Sequence, residues 1–196
     1  MHGQRKERSI TRVGDDAQDL LAVQKTLQGD TDAFSDIVDR YSPVLYALAL
    51  RLLGSKEEAE DTVQEIFLSV YKSLRSFKLE ARFYSWLYTI AINKIRSLLR
   101  KKDRRRRPVS LDADGFPDFA DPREDIQLRV VSRIEEERAQ ELLSTLKPIY
   151  RIAFVLRFVE GMSLQDMADV LEIPIGTVKA RLHRARKQMI SILTEK

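Results

Sequence analysis

The chain has 196 residues, 34 of them Lys or Arg and 30 Asp or Glu, for a formal net charge of +4. With 43% hydrophobic and 33% charged residues the composition is globular, neither collagenous nor low-complexity, and the length allows one ordinary domain or two small ones. There is no cysteine and only two histidines, His2 and His183, which excludes a disulfide framework, thiolate metal sites, a cysteine nucleophile and a histidine-rich metal centre.

No run is apolar for the 18 or so residues a membrane span needs, and the charged N-terminus has no apolar stretch behind it. A soluble, cytoplasmic chain is the expectation. The small net charge hides large opposing blocks. Residues 93–107 sum to +8 and residues 174–187 to +5, whereas residues 57–65 and 110–128 each sum to −5. Two cationic blocks with an acidic spacer suggest two contacts with a polyanion; solvated helix faces would give similar runs.

Residues 1–15 form a basic extension without periodicity and are expected to be disordered. A first module is expected at 16–103. In 34–53 the apolar residues Phe34, Ile37, Val38, Tyr41, Leu45, Leu48 and Leu52 recur at helical spacing. In 57–77, Val63, Ile66, Phe67, Val70, Tyr71, Leu74 and Phe77 do the same. Ser55 with Glu58 predicts a capping box at the start of that second helix, whose acids sit at the positive end of its dipole. A third helix over 84–102 runs from aromatic (Tyr84, Trp86, Tyr88) through apolar to basic.

Pro108, Pro117 and Pro122, with Gly115 and six acids, mark residues 104–132 as an extended acidic linker. A second helical module is expected at 133–196. No stretch alternates with period two, so the fold class is all-α: two small helical domains joined by that linker.

Residues 163–189 carry the most specific local pattern. Ser163 and Asp166 predict a capped helix through Leu171. Glu172-Ile173-Pro174 makes a turn, with Glu172 at a position where left-handed backbone is common. A second helix then opens at Ile175-Gly176-Thr177, with Thr177 as N-cap, and runs through Met189. This is helix-turn-helix spacing. Met167, Ala168, Leu171, Ile173, Val178 and Leu182 are the expected packing positions. The opposite face presents Thr177, Lys179, Ala180, His183, Arg184 and Lys187, flanked by Arg181 and Arg186, a cationic surface suited to a DNA major groove.

The strings Leu146-Lys-Pro148, Phe158-Val-Glu-Gly161, Ser163-Leu-Gln-Asp-Met-Ala168 and Gly176–Arg186 together resemble domain four of bacterial sigma factors. Ala59–Phe67, Phe83–Tyr88 and Ile90-Ala-Ile-Asn93 resemble sigma domain two. Their order and spacing resemble the extracytoplasmic-function group of the sigma-70 family. The resemblance implies two partners, core RNA polymerase and promoter DNA, and often an anti-sigma factor. It places polymerase binding on Asp61, Gln64, Glu65 and Phe67, with Glu58 nearby. It places recognition and opening of the −10 element on Phe83, Tyr84, Tyr88, Asn93, Lys94, Arg96, Arg100 and Lys101, and the −35 element on the second helix of the helix-turn-helix. Exposed aromatics stacking on unpaired bases fit the single-stranded ligand, while the spacing of Trp86 with Ile90 suggests core packing. Leu79 stands where the family often has Gly, in the loop that captures a flipped base.

No phosphate-binding G-x-x-x-x-G-K-[ST] loop and no Ser/His/Asp set is present, so neither a catalytic site, a cofactor, a metal, a membrane insertion nor a homo-oligomer is expected. Two alternatives lie in other classes. A response regulator with the same helix-turn-helix would need an α/β receiver in 16–103. A nuclease would need clustered carboxylates beside a basic groove, whereas the acids at 57–65 are expected on a helix face turned away from the basic segments.

Overall fold

A computed structural model describes residues 16–106 and 136–194. Among the described residues every regular element is helical, and the two halves are helical domains, as the hydrophobic periodicity predicts. The extension 1–15 and, beyond Arg106, the acidic spacer lie outside the described residues.

The first half holds four helices. α1 (Asp16–Leu27) buries Ala22 and Val23. α2 (Asp32–Leu53) buries Ile37, Tyr41, Leu45, Leu48 and Leu52, the stripe read from the sequence. Its first turn is held by Asp30, whose Oδ1 accepts from the amides of Asp32 and Ala33 at 3.1 and 3.2 Å. Pro43 lies within this helix on its exposed side, where its ring meets solvent and the helix runs on.

α3 (Lys56–Ser73) starts at Ser55, whose Oγ accepts from the Glu58 amide at 3.3 Å. Only this half of the expected capping box forms, because the Glu58 carboxylate turns to an ion pair with Lys102. The helix tightens into a 3-10 turn over Leu74–Ser76, so it ends before Phe77. α4 (Phe83–Arg106) overshoots the expected 84–102 at both ends.

Among its described residues the second half also holds four. α5 (Glu136–Thr145) leads to α6 (Pro148–Phe154), which has Pro148 in its first turn, where a missing N–H costs nothing. A π turn over Val155–Val159 leads to the helix-turn-helix, α7 (Leu164–Leu171) and α8 (Ile175–Thr194). The Ser163–Asp166 capping box forms in both directions, and Glu172 is left-handed at φ 55°. One boundary differs. α8 begins at Ile175, and the amides of Thr177 and Val178 donate to the Pro174 carbonyl at 2.9 and 3.2 Å. Thr177 therefore lies inside the first turn and is not the N-cap.

α2 packs between α1 and α3, and α4 closes the first bundle. The other side of α4 bears on α6 and α7, while α8 lies against α6 and α7. One apolar cluster runs without a break from Ile37 and Leu45 in the first half to Val155, Met167 and Val178 in the second. The two domains therefore share an interior across α4.

Candidate nucleic-acid interface

Three surfaces carry the residues singled out by the sequence. On α3, Asp61, Gln64 and Glu65 all face solvent, one above the other at helical spacing. Phe67 does not join them. It is 7% exposed and turned inward, its ring edge-on to Phe34 at 6.5 Å. The apolar residues that continue the acidic stripe are Leu68, 59% exposed, and Tyr71, 48% exposed and held edge-on against Phe34 at 5.0 Å. Leu68 stands four residues after Gln64 and three after Glu65, so helical spacing alone points to it once Phe67 is given to the core.

The acids of α3 do not turn away from the basic segment. Glu65 pairs with Lys94, and Glu58 with Lys102, which also donates to the Leu53 carbonyl at 3.3 Å. α3 thus lies with its acidic edge along the basic edge of α4. Sequence separation gives no hint of this register, which packing sets.

On α4 the aromatics divide. Phe83 is fully buried, ringed by Tyr41, Phe77 and Trp86 at 5.5–5.9 Å, so it belongs to the core and not to an open base pocket. Tyr88 is also fully buried. Its hydroxyl donates to Glu160 Oε2 at 3.0 Å, across to the second half. Burial first and the Glu160 carboxylate second push that hydroxyl well above the usual tyrosine range, so it stays a donor. Tyr84 is half-buried and stacks on Tyr88 at 4.3 Å. Of the three aromatics it is the one with an accessible ring. Trp86 is half-buried, tilted against Phe77 at 5.0 Å.

Further along α4, Arg100 and Lys101 are exposed, while Asn93, Lys94 and Arg96 are half-buried. Arg96 donates to the Asn93 side-chain oxygen, so these two polar groups hold each other. Leu79, in the loop before α4, is exposed.

On α8 the packing positions Val178 and Leu182 are buried, with Ala185 and Met189 extending them, against Met167, Ala168 and Leu171 of α7. Ile173 is half-buried in the turn. Lys179, His183 and Lys187 are exposed on the far side, with Thr177, Ala180, Arg181, Arg184 and Arg186 half-buried beside them. Arg184 also reaches the Tyr150 hydroxyl at 3.3 Å, which fixes it toward α6. Pro174, Ile175 and Gly176 are exposed as well, so the whole N-terminal end of α8 is open. The first amides of a helix lack intrahelical acceptors and favour an anion there. Among the described residues no group of His, Cys, Asp or Glu could hold a metal ion, and no helix is long and apolar enough to cross a membrane.

Residues 37–105 match the family model described as Sigma-70 region 2, and residues 136–189 match Sigma-70, region 4. The chain is 36% identical over 175 residues to the ECF RNA polymerase sigma factor SigW of Bacillus subtilis, covering 85% of this chain and 92% of that one. It is 33% identical over 180 residues to the ECF RNA polymerase sigma-E factor of Haemophilus influenzae, covering 87% and 93%. Among solved structures it resembles CnrH in complex with the cytosolic domain of CnrY, with TM-score 0.65 and 26% identity, over 91% of this chain and 99% of that one. It also resembles RpoE in complex with the anti-sigma factor NepR from Bartonella quintana, with TM-score 0.57 and 25% identity, over 82% and 96%.

Proposed function

The chain belongs to the extracytoplasmic-function sigma factors of the sigma-70 family, and on that premise we propose that it directs core RNA polymerase to specific promoters and assists their opening. The observation that carries this is the pairing in one chain of region 2, residues 37–105, with a region 4 whose helix-turn-helix exposes a cationic α8. The all-helical first half excludes the α/β receiver of a response regulator.

The surfaces have separate tasks. Asp61, Gln64, Glu65, Leu68 and Tyr71 on α3 bind polymerase: an acidic stripe with an apolar end complements a basic protein surface and repels DNA. Tyr84 supplies the stacking ring for an unpaired −10 base, and Lys94, Arg96, Arg100 and Lys101 with Asn93 hold the strand. Lys179, Ala180, Arg181, His183, Arg184 and Lys187, with Thr177 in the first turn, address the −35 element from the major groove. The spacer lets two modest DNA modules act as one once polymerase holds both. The factor works by binding energy and has no catalytic step of its own, and it acts in the cytoplasm. An anti-sigma factor as a further partner is supported by the two solved relatives, each in complex with another protein, one of them named an anti-sigma factor.

Reconstitution with core RNA polymerase and a randomised promoter library tests this. Promoter-dependent transcripts sharing two short elements are expected. Their loss in Lys179→Glu, with polymerase binding intact, is expected too. Absence of any promoter-dependent transcript would overturn the proposal.

A further inference from the structure

Four buried positions on α8, Val178, Leu182, Ala185 and Met189, mark the line along which that helix packs. At about 100° per residue the opposite line runs through Gly176, Ala180 and Lys187. Over the first two turns that line carries no more than a methyl group. Long polar side chains that reach a groove floor there must come from its shoulders. His183 and Arg184 stand about 50° to either side of it, His183 exposed and Arg184 half-buried.

The two shoulders are built differently. Arg184 stands on the side of α6, which packs along α8. Tyr150 of α6 is 4% exposed, and its hydroxyl oxygen accepts from Arg184 Nη1 at 3.3 Å. A buried tyrosine needs a partner for its hydroxyl, and here the partner belongs to the face offered to DNA. The core holds the Tyr150 ring, so its oxygen is a fixed point for the guanidinium. A guanidinium carries its N–H donors in one plane. A bond through Nη1 therefore orients Nε and Nη2 as well.

We propose that Tyr150 is a positioning residue for the −35 element: its hydroxyl sets the plane of the Arg184 guanidinium, and Arg184 so held reads a guanine edge in the major groove. The inference rests on the function proposed above and assigns one base contact within it. Geometry separates this task from a phosphate contact. A phosphate is met by charge from many directions, and a lysine serves as well. Guanine O6 and N7 are met by two N–H groups in one plane, the bidentate contact of arginine. Only the second task gains from an orientation fixed in advance, because a preorganised fork loses less freedom on binding. Lys179 and Lys187, exposed point charges on the same helix, suit the phosphates.

The test is holoenzyme made from the full chain and core RNA polymerase, selecting transcripts from a promoter library randomised across the −35 element. The wild-type chain is expected to prefer guanine at one base pair that Arg184→Ala no longer distinguishes. Tyr150→Phe keeps the ring and removes the hydroxyl. It is expected to lower that same guanine preference by about fivefold, with preferences elsewhere unchanged. Its salt dependence should match wild type, since no charge is lost. The double variant Y150F/R184A should match R184A at that base pair. Arg184→Lys repeats the test without touching the core: the charge stays and the fork goes, so the guanine preference should fall while the salt slope holds. A Y150F profile equal to wild type, or one weakened alike at every sequence, would overturn the positioning role. So would guanine preference retained in R184K. Uniform weakening in R184A, with a salt slope lower by about one, would make Arg184 a phosphate contact and sink the proposal. No promoter-dependent transcript from the wild-type chain would sink the function itself, a result that none of the variant outcomes resembles.

Discussion

Asp19 on α1 is fully buried, and it accepts the hydroxyl of Tyr41 on α2 at 2.5 Å. Its other oxygen pairs with Arg40, whose side chain is 26% exposed. Burial first, then the hydrogen bond to Asp19, pushes the Tyr41 hydroxyl far above its ordinary range, so it remains a donor at every physiological pH. This polar triad pins α1 to α2 at the centre of the first bundle.

Asp19→Ala should therefore destabilise the first domain by about 3 kcal/mol, since it strands a guanidinium and a buried hydroxyl together. Tyr41→Phe, which removes one hydroxyl and leaves the ion pair, should cost only about 1 kcal/mol. Urea unfolding of the full chain followed by tyrosine and tryptophan fluorescence checks the order. Equal losses from the two variants would mean that the ion pair contributes nothing.

A second expectation concerns the Glu65–Lys94 pair. The acid belongs to the stripe proposed to bind polymerase and the lysine to the edge proposed to hold DNA, so each masks the other in the free chain. Glu65→Gln should raise single-stranded DNA affinity of the free factor by about two- to fivefold at low salt, the range of an exposed pair, with the gain vanishing as salt screens it. The same variant should weaken core polymerase binding. Anisotropy titrations at two ionic strengths, beside a polymerase pull-down, separate the two effects.

The helix-turn-helix was the most legible part of this chain because its chemistry is local. Ser163, Asp166, Glu172 and Pro174 lie within a dozen residues, and each acts on its own backbone. The aromatics of α4 were not legible in that way. Spacing shows that Phe83, Tyr84 and Tyr88 sit on a helix, but α4 packs on both sides, against the first bundle and against α6 and α7. A one-sided amphipathic pattern cannot reveal the second contact. Phe67 joined the polymerase-binding set through resemblance alone, although its helical spacing already places it in the apolar stripe of α3 that the structure buries. α1 escaped notice as a separate helix because its exposed Leu21 and Leu27 blur the stripe of Ala22 and Val23. The pairs Glu58–Lys102 and Glu65–Lys94 depend on how α3 and α4 register, which no local signal carries.

The turn of the helix-turn-helix offers a stabilising change. Glu172 is the only non-glycine with positive φ among the described residues, and its side chain is exposed. Left-handed backbone costs an L-residue about 1 kcal/mol, part of which glycine returns through unfolded-state entropy. Glu172→Gly should raise the stability of the second domain by about 0.5 kcal/mol while leaving −35 DNA affinity unchanged, because the amide still donates to the Ala168 and Asp169 carbonyls. Glu172→Val should lower stability by more than that. Thermal melts of both variants, with gel-shift assays on one promoter, test the pair.

Acidity should tighten the packing of the second domain on the first, the closed form, through Glu160, which accepts from the Tyr88 hydroxyl and lies 3.7 Å from the Arg51 guanidinium. Burial raises its pKa above the ordinary 4.5, and the Tyr88 hydrogen bond and Arg51 only partly offset that rise. When the domains part, water returns and the carboxylate goes back toward its ordinary value. The closed chain thus holds a proton that the open chain has released over the whole interval from 4.5 up to the raised value. Closing takes up a proton there, so falling pH favours the closed form, and rising pH through the raised value removes that advantage. The groups facing Glu160 are Tyr88 on α4 and Arg51 on α2, and burial keeps the Tyr88 hydroxyl protonated. Glu160→Gln keeps an oxygen for the Tyr88 hydroxyl and abolishes the titration. Energy transfer between the two domains, recorded from pH 7.5 to 4.5, should show the closed fraction climbing in the wild-type chain and a flatter profile in E160Q. The difference between the two profiles removes the other carboxylates, which both proteins share. Parallel profiles would place the proton elsewhere and discard this role for Glu160.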